Sequence, residues 1–544
     1  MVKHTRWLTV LAALMVLALF AGLIGCSPGE SDRHVLRVGF LREIEGLNPM
    51  TIWSYQAYEV MNLNYNRLIT WDENMNVVSD LAKEWEVSED GLTWTFILHE
   101  GVKWHDGEPF TAEDVKFTFE YIRDNELGYF VDYVAAMTDI QAPDETTVVI
   151  TLEEPLAWMP NILVPILPKH IWENVDPEEA NSDYENSEPI GTGPFQVVEH
   201  VTGEYTRMAA NKDYFKGAPK IDEVIFQTFA NADLMVQALK RGDIDAITSC
   251  PAAQFKALQE EAPEGIKLLD AMTPAFTELA INVWDDPASN GNPLLRDPKV
   301  RAAMEHAIDR ERVLEVAFFG YGETGSTLVP SVYDFWHLKL DADEFRSFDI
   351  EKSKGILEEA GYKVGSDGIR ASADGEPLSF TVSVRSESPD SRKAAELMKE
   401  WFKEAGIDLK IEVIDEGTLT DRIYEGDFDL FIWGWFVDVD PSSILKIMTT
   451  GEIMSWSDSF YSNPEYDELY EKQQFTLDLD ERQEIIHEMQ RIVYEDAPYI
   501  ILSYDPELQA YRTDRFKGWV QNPAGGPVMF TNTIETYEKL EPIN

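Results

Sequence analysis

The sequence predicts an α/β fold, because short segments with the two-residue periodicity of strands alternate along the chain with segments of helical periodicity. Val35–Phe40 is a mostly apolar run that predicts a short, largely buried strand. Thr93–Leu98 alternates apolar with polar residues, which places one set of side chains on a single buried face: Trp94, Phe96 and Leu98. We expect both segments to belong to sheets that pack against helices.

Two helices are predicted in the second half of the chain. The first begins at Asp297, because an aspartate that can cap a helix is followed directly by a proline in the first turn. Its apolar residues keep helical spacing and predict one buried stripe: Val300, Ala303, Met304, Ala307 and Ile308. The second helix runs from Asp390 to Gly406, which can end it in a left-handed conformation. Its buried side carries Ala394, Leu397, Met398, Trp401 and Phe402.

The next segment, Ile407–Val413, alternates apolar with charged residues and predicts a strand with one buried face. That face would carry Ile407, Leu409, Ile411 and Val413. Stretches rich in Pro, Gly and Asn mark the places where we expect the chain to pass between domains: 188–194, 285–293 and 522–527.

The composition indicates a folded, acidic protein of several domains. A length of 544 residues predicts about three domains, each able to bury a substantial core. Hydrophobic residues make up 44% of the chain, which separates it from disordered acidic polymers in spite of a formal net charge of −54. That charge repels phosphate backbones, so we exclude nucleic acid as a partner. We expect the acidic excess to form a solvated surface, and adaptation to salt is one reason for such a surface.

Residues 1–25 have the pattern of a signal peptide, in which basic residues precede an apolar run over 8–24. This run is shorter than a membrane-spanning helix usually requires. The four residues that end at Cys26 (LIGC) resemble a bacterial lipobox. They predict cleavage after residue 25, lipid attachment to Cys26 and a lipidated tether over 26–34. Cys250 is then the only unmodified cysteine, so no intramolecular disulfide can form.

Motifs that mark common enzymes are incomplete in this chain. Residues 487–491 (HEMQR) resemble the helix of zinc proteases, but an arginine stands in place of the second histidine and cannot ligate zinc. Residues 438–449 lack the glycine and the terminal glutamate of a calcium loop. Residues 191–194 (GTGP) lack the third glycine of a dinucleotide loop. We therefore expect a protein that is not an enzyme and that uses no metal and no cofactor.

A series of short segments covers nearly the whole chain beyond the apolar run. In order they are LNP at 47–49, DLA at 80–82, WEVS at 85–88, GVKWHDG at 101–107, AEDV at 112–115, GTGPF at 191–195, GDIDA at 242–246, VRAA at 300–303, AIDR at 307–310, EAGY at 359–362 and DAP at 496–498. Together they strongly resemble the family 5 extracellular solute-binding proteins, the oligopeptide-, dipeptide- and nickel-binding components of ABC importers. His99 is a departure, because the family commonly has arginine there.

The resemblance implies two α/β lobes joined by hinge strands, a periplasmic-binding-protein-like fold with an extra α/β subdomain on the first lobe. The implied boundaries are 35–70, 190–280 and 508–544 for lobe I, 71–189 for the extra subdomain and 281–507 for lobe II. Such lobes close around a solute, which needs no chemistry of its own.

The same resemblance implies a monomer anchored by its lipid in the periplasm or on the outer face of the cytoplasmic membrane. It would capture a peptide and deliver it to the subunits of an ABC permease. An oligosaccharide or another small solute is the alternative ligand.

Asp438 and Trp435 carry the main binding prediction. Asp438 resembles the family carboxylate that pairs with the α-ammonium of a peptide, and Trp435 resembles the aromatic wall beside it. A carboxylate at the end of the apolar strand predicted over 428–433 is costly to bury unpaired, so a cationic ligand group gives it a purpose. A turn residue ahead of Asp440 and Pro441 is the alternative.

Arg385 is similar to the arginine that holds the C-terminal carboxylate in dipeptide binders, and its guanidinium suits a bidentate contact. An exposed salt bridge is the alternative for Arg385. The aromatic residues Trp53, Tyr55 and Trp433 suit stacking on a ligand, including a sugar ring. Core packing is the alternative for Trp433.

Overall fold

The structure is a computed structural model that describes residues 33–529 and 534–543. The predicted signal peptide over 1–25, the lipidation site at Cys26 and most of the tether over 26–34 lie outside the described residues. Within the described ranges, no helix combines the length and the apolar character needed to span a membrane.

Strands occur along the whole of the described chain. They are β1 Val35–Phe40, β2 Ile69–Trp71, β3 Val77–Ser79, β4 Ala82–Val87, β5 Thr93–Leu98, β6 Met137–Asp144, β7 Thr147–Leu152, β8 Phe195–Val201, β9 Tyr205–Ala210, β10 Glu223–Thr228, β11 Ala246–Ile247, β12 Ile266–Ile281, β13 Glu323–Thr324, β14 Lys363–Val364, β15 Arg370–Ala371, β16 Ser379–Arg385, β17 Asp408–Ile414, β18 Leu430–Phe436, β19 Tyr499–Arg512, β20 Phe516–Lys517 and β21 Glu541–Pro542.

The α-helices lie between these strands along the chain. They are α1 Tyr55–Asn64, α2 Ala112–Asn125, α3 Val131–Val134, α4 Lys169–Trp172, α5 Pro177–Ala180, α6 Ala232–Arg241, α7 Ala252–Glu261, α8 Pro298–His306, α9 Arg310–Val316, α10 Ile350–Glu359, α11 Pro389–Ala405, α12 Glu416–Glu425, α13 Ser442–Lys446, α14 Pro464–Phe475, α15 Leu479–Asp496 and α16 Glu535–Lys539.

One large mixed sheet runs through both lobes of the molecule. Its strand order is β17-β16-β18-β12-β19-β11-β1-β10-β9-β8, and β13 also pairs with β19. Strands β8 to β11 and β1 lie in the first lobe, and β16 to β18 lie in the second. The long antiparallel pair β12 and β19 passes from one lobe to the other.

This connecting pair is irregular near its middle. Its register shifts between Met272 and Ala275. Pro274 and Pro506 stand at the same level and lack the amide hydrogens that a continuous ladder would use. The ladder is therefore interrupted where the chain crosses between the lobes.

A smaller antiparallel sheet, of order β4-β5-β7-β6, lies in the first lobe, and α2 packs against it. Helix α2 begins with a capping box, in which the backbone N–H of Thr111 donates to Oδ2 of Asp114 at 2.8 Å. The predicted strand Thr93–Leu98 is confirmed as β5, with its buried face as expected.

Each lobe has its own hydrophobic core. In the first lobe, one core extends from Phe226 of the large sheet to Phe96 of the small sheet. The second lobe buries both faces of its sheet, with Leu279 on one face and Phe276 on the other. Strand β18, which leads to Asp438, is thus fixed by packing on both of its faces.

The predicted helices are confirmed with small differences. Asp297 caps α8, whose first residue is Pro298, and the helix ends at His306. The second helix begins at Pro389, one residue earlier than predicted, because the side chain of Ser388 caps it. Gly406 ends this helix with a φ of 92°.

The strand predicted over 407–413 is observed as Asp408–Ile414. Its predicted buried face is wrong at one end, because Val413 is 43% exposed. The physical reason is position, since β17 is the outermost strand of the large sheet. Similarly, the apolar strand predicted over 428–433 is observed as Leu430–Phe436.

The GTGP segment has a packing role. A Cβ atom at Gly191 would lie 1.7 Å from the carbonyl oxygen of Asn64, and one at Gly193 would lie 2.3 Å from that of Leu63. The backbone N–H of Gly193 also donates to Asn64 at 3.0 Å. Glycine is required here because the end of α1 passes directly against the segment.

Candidate ligand-binding cavity

A cavity of about 650 Å³ lies between the two lobes. The first lobe lines it with residues from the range 49–165, and the second lobe with residues from the range 434–475. Its wall is rich in aromatic side chains, among them Tyr58, Trp71, Trp158, Phe436, Trp456 and Tyr470. This volume and this lining are typical of sites that enclose a small molecule.

Asp438 lies in the cavity two residues after the end of β18. The hydroxyl groups of Tyr129 and Ser443 each donate to Oδ2 of Asp438 at 2.9 Å, and that of Tyr133 donates at 3.3 Å. No described residue donates a hydrogen bond to Oδ1. Burial raises the pKa of Asp438 above its usual value, and the three hydroxyl bonds and the charge of Arg67 offset only part of this rise.

Tyr129 and Tyr133 reach Asp438 from the opposite lobe, across a sequence separation of 309 residues for Tyr129. Their hydroxyl groups lie 3.1 Å apart, and their rings pack edge to face. Burial raises the pKa of both phenols well above the usual value, so both remain protonated donors. No sequence motif pointed to them, although their spacing of four residues is typical of one helix face.

Trp435 is the next-to-last residue of β18 and lines the cavity. Its Nε1 donates to Oδ2 of Asp458 at 3.2 Å, and the hydroxyl group of Tyr499 donates to the other oxygen. Burial raises the pKa of Asp458 to about 6. These two hydrogen bonds hold the Trp435 ring in place as one wall of the cavity.

Trp53 and Tyr55 line the cavity from the first lobe, at the start of α1. Glu45 accepts hydrogen bonds from the backbone N–H groups of Trp53, at 2.7 Å, and Ser54, at 2.8 Å. The side chains remain accessible, with Trp53 61% and Tyr55 51% exposed. The ring of Tyr55 lies edge-on to Phe436 of the second lobe, with 5.9 Å between centroids.

Arg385 and Trp433 do not line this cavity. The guanidinium of Arg385 lies over the Trp433 ring, 4.2 Å from its centroid, and its Nη1 donates to Glu416 at 3.2 Å. The structure thus brings together Asp438, Trp435, Tyr55 and Trp53, and it places the other two residues beside each other elsewhere. A ligand contact for Arg385 or Trp433 stays a prediction.

Arg67 is a cavity residue that no sequence pattern indicated. It is 8% exposed, and its Nη2 donates to Oδ1 of Asn62 at 2.6 Å. Burial lowers the pKa of Arg67, while the charges of Asp80 and Asp438 act in the opposite direction. A guanidinium stays protonated under these conditions, so the cavity contains a positive charge as well as a negative one.

Contacts across the cleft hold the two lobes together around the cavity. Nζ of Lys446 donates to Asp132 at 2.8 Å. The backbone N–H of Ala157 donates to the carbonyl oxygen of Gln474, also at 2.8 Å. An ion pair and a backbone hydrogen bond therefore join the two sides of the cleft.

Groups that bind metals or act as nucleophiles are not arranged for such chemistry in the part of the chain that is described. No set of three His, Cys, Asp or Glu side chains in it is placed to hold a metal ion. Cys250 is buried, and burial raises the pKa of its thiol to about 12, which disfavours the reactive thiolate. His487 lies on α15, where burial lowers its pKa.

The chain matches the family described as bacterial extracellular solute-binding proteins, family 5 Middle, over residues 76–456. It is 27% identical over 548 residues to the oligopeptide-binding protein AppA of Bacillus subtilis, covering 96% of this chain and 97% of AppA. It is 32% identical over 390 residues to a putative ABC transporter peptide-binding protein of Brucella ovis, covering 70% of this chain and 69% of that protein.

Solved structures give the same result for the fold. AppA of Bacillus subtilis in complex with a nonapeptide matches with a TM-score of 0.80 and 25% identity, covering 94% of this chain and 100% of AppA. NikZ of Campylobacter jejuni in complex with Ni(L-His) matches with a TM-score of 0.81 and 26% identity, covering 93% and 99% of the two chains. The predicted two-lobe α/β fold is confirmed.

Proposed function

Because the chain belongs to the bacterial extracellular solute-binding proteins of family 5, we propose that it captures a peptide between its lobes and delivers it to an ABC permease. The observation that carries the proposal is Asp438, a carboxylate in the interlobe cavity whose described hydrogen-bond donors are all neutral hydroxyl groups. The ammonium group of a peptide would supply the opposite charge. The names of AppA and of the Brucella ovis protein support a peptide ligand.

In this proposal the ammonium group approaches Oδ1 of Asp438. The three hydroxyl donors at Oδ2 fix the orientation of the carboxylate before a ligand arrives. Such preorganisation lowers the entropy that binding would otherwise lose. A charge-assisted hydrogen bond is also stronger than a neutral one, because both partners are shielded from water inside the cavity.

The aromatic residues have two different proposed roles in ligand binding. Trp435, Tyr55 and Trp53 form walls that contact the peptide inside the cavity. Trp433 orients Arg385 by a cation–π contact, and Arg385 receives the carboxylate end of the peptide.

Lobe movement follows from the proposed division of the chain. Lobe I comprises 35–70, 190–280 and 508–544, with the extra subdomain over 71–189, and lobe II comprises 281–507. The hinge lies at the interruption of the β12–β19 ladder, because few backbone hydrogen bonds resist bending there. Opening at this point would separate Tyr129 from Asp438 and admit the peptide.

Proteins of this family are extracytoplasmic. For this chain we propose, more specifically, that it is anchored to a membrane. Lipid on Cys26 would anchor the monomer to a membrane and leave both lobes free to close. Replacement of Cys26 by alanine should abolish incorporation of labelled fatty acid. A wild-type protein that takes up no label contradicts the anchor.

Calorimetry on protein freed of bound ligand tests the function directly. Tripeptides with Ala, Phe, Lys or Glu in the middle position should bind with a stoichiometry of one, and maltotriose serves as the sugar control. Mass spectrometry of ligands retained during gentle purification should also find peptides. Binding of maltotriose in the absence of any peptide binding would contradict the proposal.

A further inference from the structure

Arg67 is a buried cation in the wall of the interlobe cavity. It follows shortly after Asn64, the last residue of α1. Its Nη2 donates to Oδ1 of Asn62, another residue of the cavity wall, at 2.6 Å. This hydrogen bond holds the guanidinium in a defined position beside the space that a ligand would fill.

One face of α1 forms a continuous strip of the cavity wall. Tyr55, Tyr58 and Asn62 are spaced three and four residues apart, so their side chains project from the same side of the helix. All three line the cavity. Because a helix rises about 1.5 Å per residue, this strip is about 10 Å long. Arg67 lies at its Asn62 end, away from the exposed aromatic residues at its start.

A neighbouring segment of the first lobe completes this part of the wall. The backbone N–H of Ile166 donates to the carbonyl oxygen of Asn66 at 3.0 Å, which brings the segment next to Arg67. Nε1 of Trp71 donates to Oδ1 of Asn161 at 2.9 Å, and both residues line the cavity. This bond orients the amide of Asn161, whose nitrogen is a donor. A guanidinium and an amide therefore lie on the same part of the wall, and both suit an anion.

Arg67 and Asp438 are close enough to act on the same side chains. Burial raises the pKa of Tyr58 to about 12, the charge of Asp438 adds to the rise, and the charge of Arg67 opposes it. Tyr133, which donates to Asp438, is subject to the same three influences. An extended chain advances by about 3.3 Å per residue. A peptide whose ammonium group lies at Asp438 would therefore bring one of its first two side chains to Arg67.

A second cation of the cavity wall, Lys446, is less suited to an anionic ligand group. Its Nζ lies 2.8 Å from a carboxylate oxygen of Asp132 and 3.3 Å from one of Glu452. Two carboxylates of the protein therefore compete with any anion that a ligand would bring to Lys446.

We propose that Arg67 is a specificity-determining residue that binds an acidic side chain in the first or second residue of the peptide. The inference rests on the proposed peptide function and narrows the preferred ligands to peptides with Asp or Glu near the amino terminus. A guanidinium suits a carboxylate because its N–H donors match the two oxygens. The contact is also stronger inside a cavity than at an exposed surface, because water competes less.

A purely structural role for Arg67 would be to hold Asn62 and the end of α1 in place. In that case, loss of Arg67 weakens peptides with acidic and with neutral side chains by the same factor. Contact with a ligand carboxylate predicts a loss that is confined to the acidic peptides. The ratio of two affinities separates the two roles, because peptides with identical termini make the same contacts at Asp438 and Arg385.

The experiment is calorimetry near neutral pH with two pairs of tripeptides, Ala-Glu-Ala with Ala-Gln-Ala and Asp-Ala-Ala with Asn-Ala-Ala. In the wild type, the acidic member of at least one pair should bind about tenfold more tightly than the neutral member. In Arg67→Gln this preference should disappear, while Arg67→Lys keeps the charge and should retain part of it. Binding of the neutral peptide shows that a variant is folded. Arg67→Met, which keeps an unbranched side chain without the charge, takes the place of Arg67→Gln if that variant is unstable.

The matched control is Arg422, which pairs with Glu412 at 2.7 Å in the second lobe, outside the cavity wall. Arg422→Gln removes the same charge and should keep the wild-type ratio of affinities. Equal affinities within both pairs in the wild type, or a ratio that Arg67→Gln leaves unchanged, overturn the inference and leave the peptide function intact. If no member of either pair binds to the wild type, the proposed function and the inference fall together.

Discussion

Asp438 and Asp440 are two residues apart, yet the structure holds their carboxylates in opposite ways. Asp440 makes a bidentate ion pair with Arg482, at 2.6 Å and 2.8 Å, and also accepts the backbone N–H of Ser442 at 3.0 Å. Asp438 receives hydrogen bonds from hydroxyl groups of Tyr129, Tyr133 and Ser443. Asp440 thus forms an ion pair with Arg482, whereas no ion pair joins Asp438 to another residue in the described part of the chain.

The pKa directions express the same difference. Burial alone would raise the pKa of both carboxyl groups. For Asp440, the charge and the hydrogen bonds of Arg482 outweigh burial and hold the pKa below its usual value. For Asp438, burial prevails and the pKa is raised. A buried carboxylate with a permanent counter-ion stabilises the fold, whereas one without it is a site at which an external cation gains binding energy.

The largest expected effect is on stability, in Asp440→Asn. This change leaves the guanidinium of Arg482 buried without its counter-ion, and breaking such a pair costs about 3–5 kcal/mol of unfolding free energy. Urea unfolding measures the loss. The matched variant Asp438→Asn removes a carboxylate that forms no ion pair within residues 33–529 and 534–543, and it should cost less than about 1 kcal/mol. Equal losses in the two variants would remove the contrast between them.

A second prediction extends the contrast to two half-buried carboxyl groups that form no ion pair with another described residue. Burial raises the pKa of Asp505 to about 6 and that of Glu507 to about 8. Because these folded-state pKa values are raised, the stability that the protonated groups contribute is complete at low pH. It is lost as the pH rises through about 6 and then about 8.

The unfolding free energy of the wild type should therefore decrease between about pH 6 and pH 8. Glu507→Gln stays neutral throughout and should flatten this decrease. Glu412→Gln, in which the lost carboxylate pairs with Arg422 at 2.7 Å, provides the control and should keep the wild-type slope. Parallel curves for the wild type and Glu507→Gln would show that Glu507 does not titrate in this range.

The smallest effect concerns the acidic surface, with its formal net charge of −54. Screening shortens the Debye length from about 10 Å at 0.1 M salt to about 3 Å at 1 M, which reduces repulsion between exposed carboxylates. The melting temperature should rise over this range. The buried pair of Asp440 with Arg482 is screened much less, so the cost of Asp440→Asn should stay nearly constant. A flat or falling melting temperature would contradict adaptation of the surface to salt.

Sequence patterns were sufficient for elements whose side chains alternate or repeat locally. The capped start at Asp297 and the glycine end at Gly406 are fixed by neighbours within one helical turn, and both are confirmed. Val413 was placed wrongly because its exposure depends on which strand forms the sheet edge. That information is contained in the order of the strands and not in the alternation.

Local sequence patterns predicted even less of the cavity. Asp438 could be singled out because it follows an apolar strand, but two of the three hydroxyl groups that donate to it belong to Tyr129 and Tyr133, 309 and 305 positions earlier in the chain. Arg67 has no local pattern that differs from an ordinary surface charge, so only the folded arrangement could place it in the same cavity as Asp438.

The central claim is that Asp438 binds the ammonium group of a peptide, and a four-member calorimetric cycle tests it most directly. Asp438→Asn should weaken binding of a tripeptide by about 30- to 4000-fold, which corresponds to about 2–5 kcal/mol for breaking a desolvated ion pair. N-acetylation of the peptide should cause a comparable loss in the wild type and little further loss in the variant, because both changes delete the same interaction. Independent, additive losses, or an unchanged affinity in Asp438→Asn, would contradict the claim.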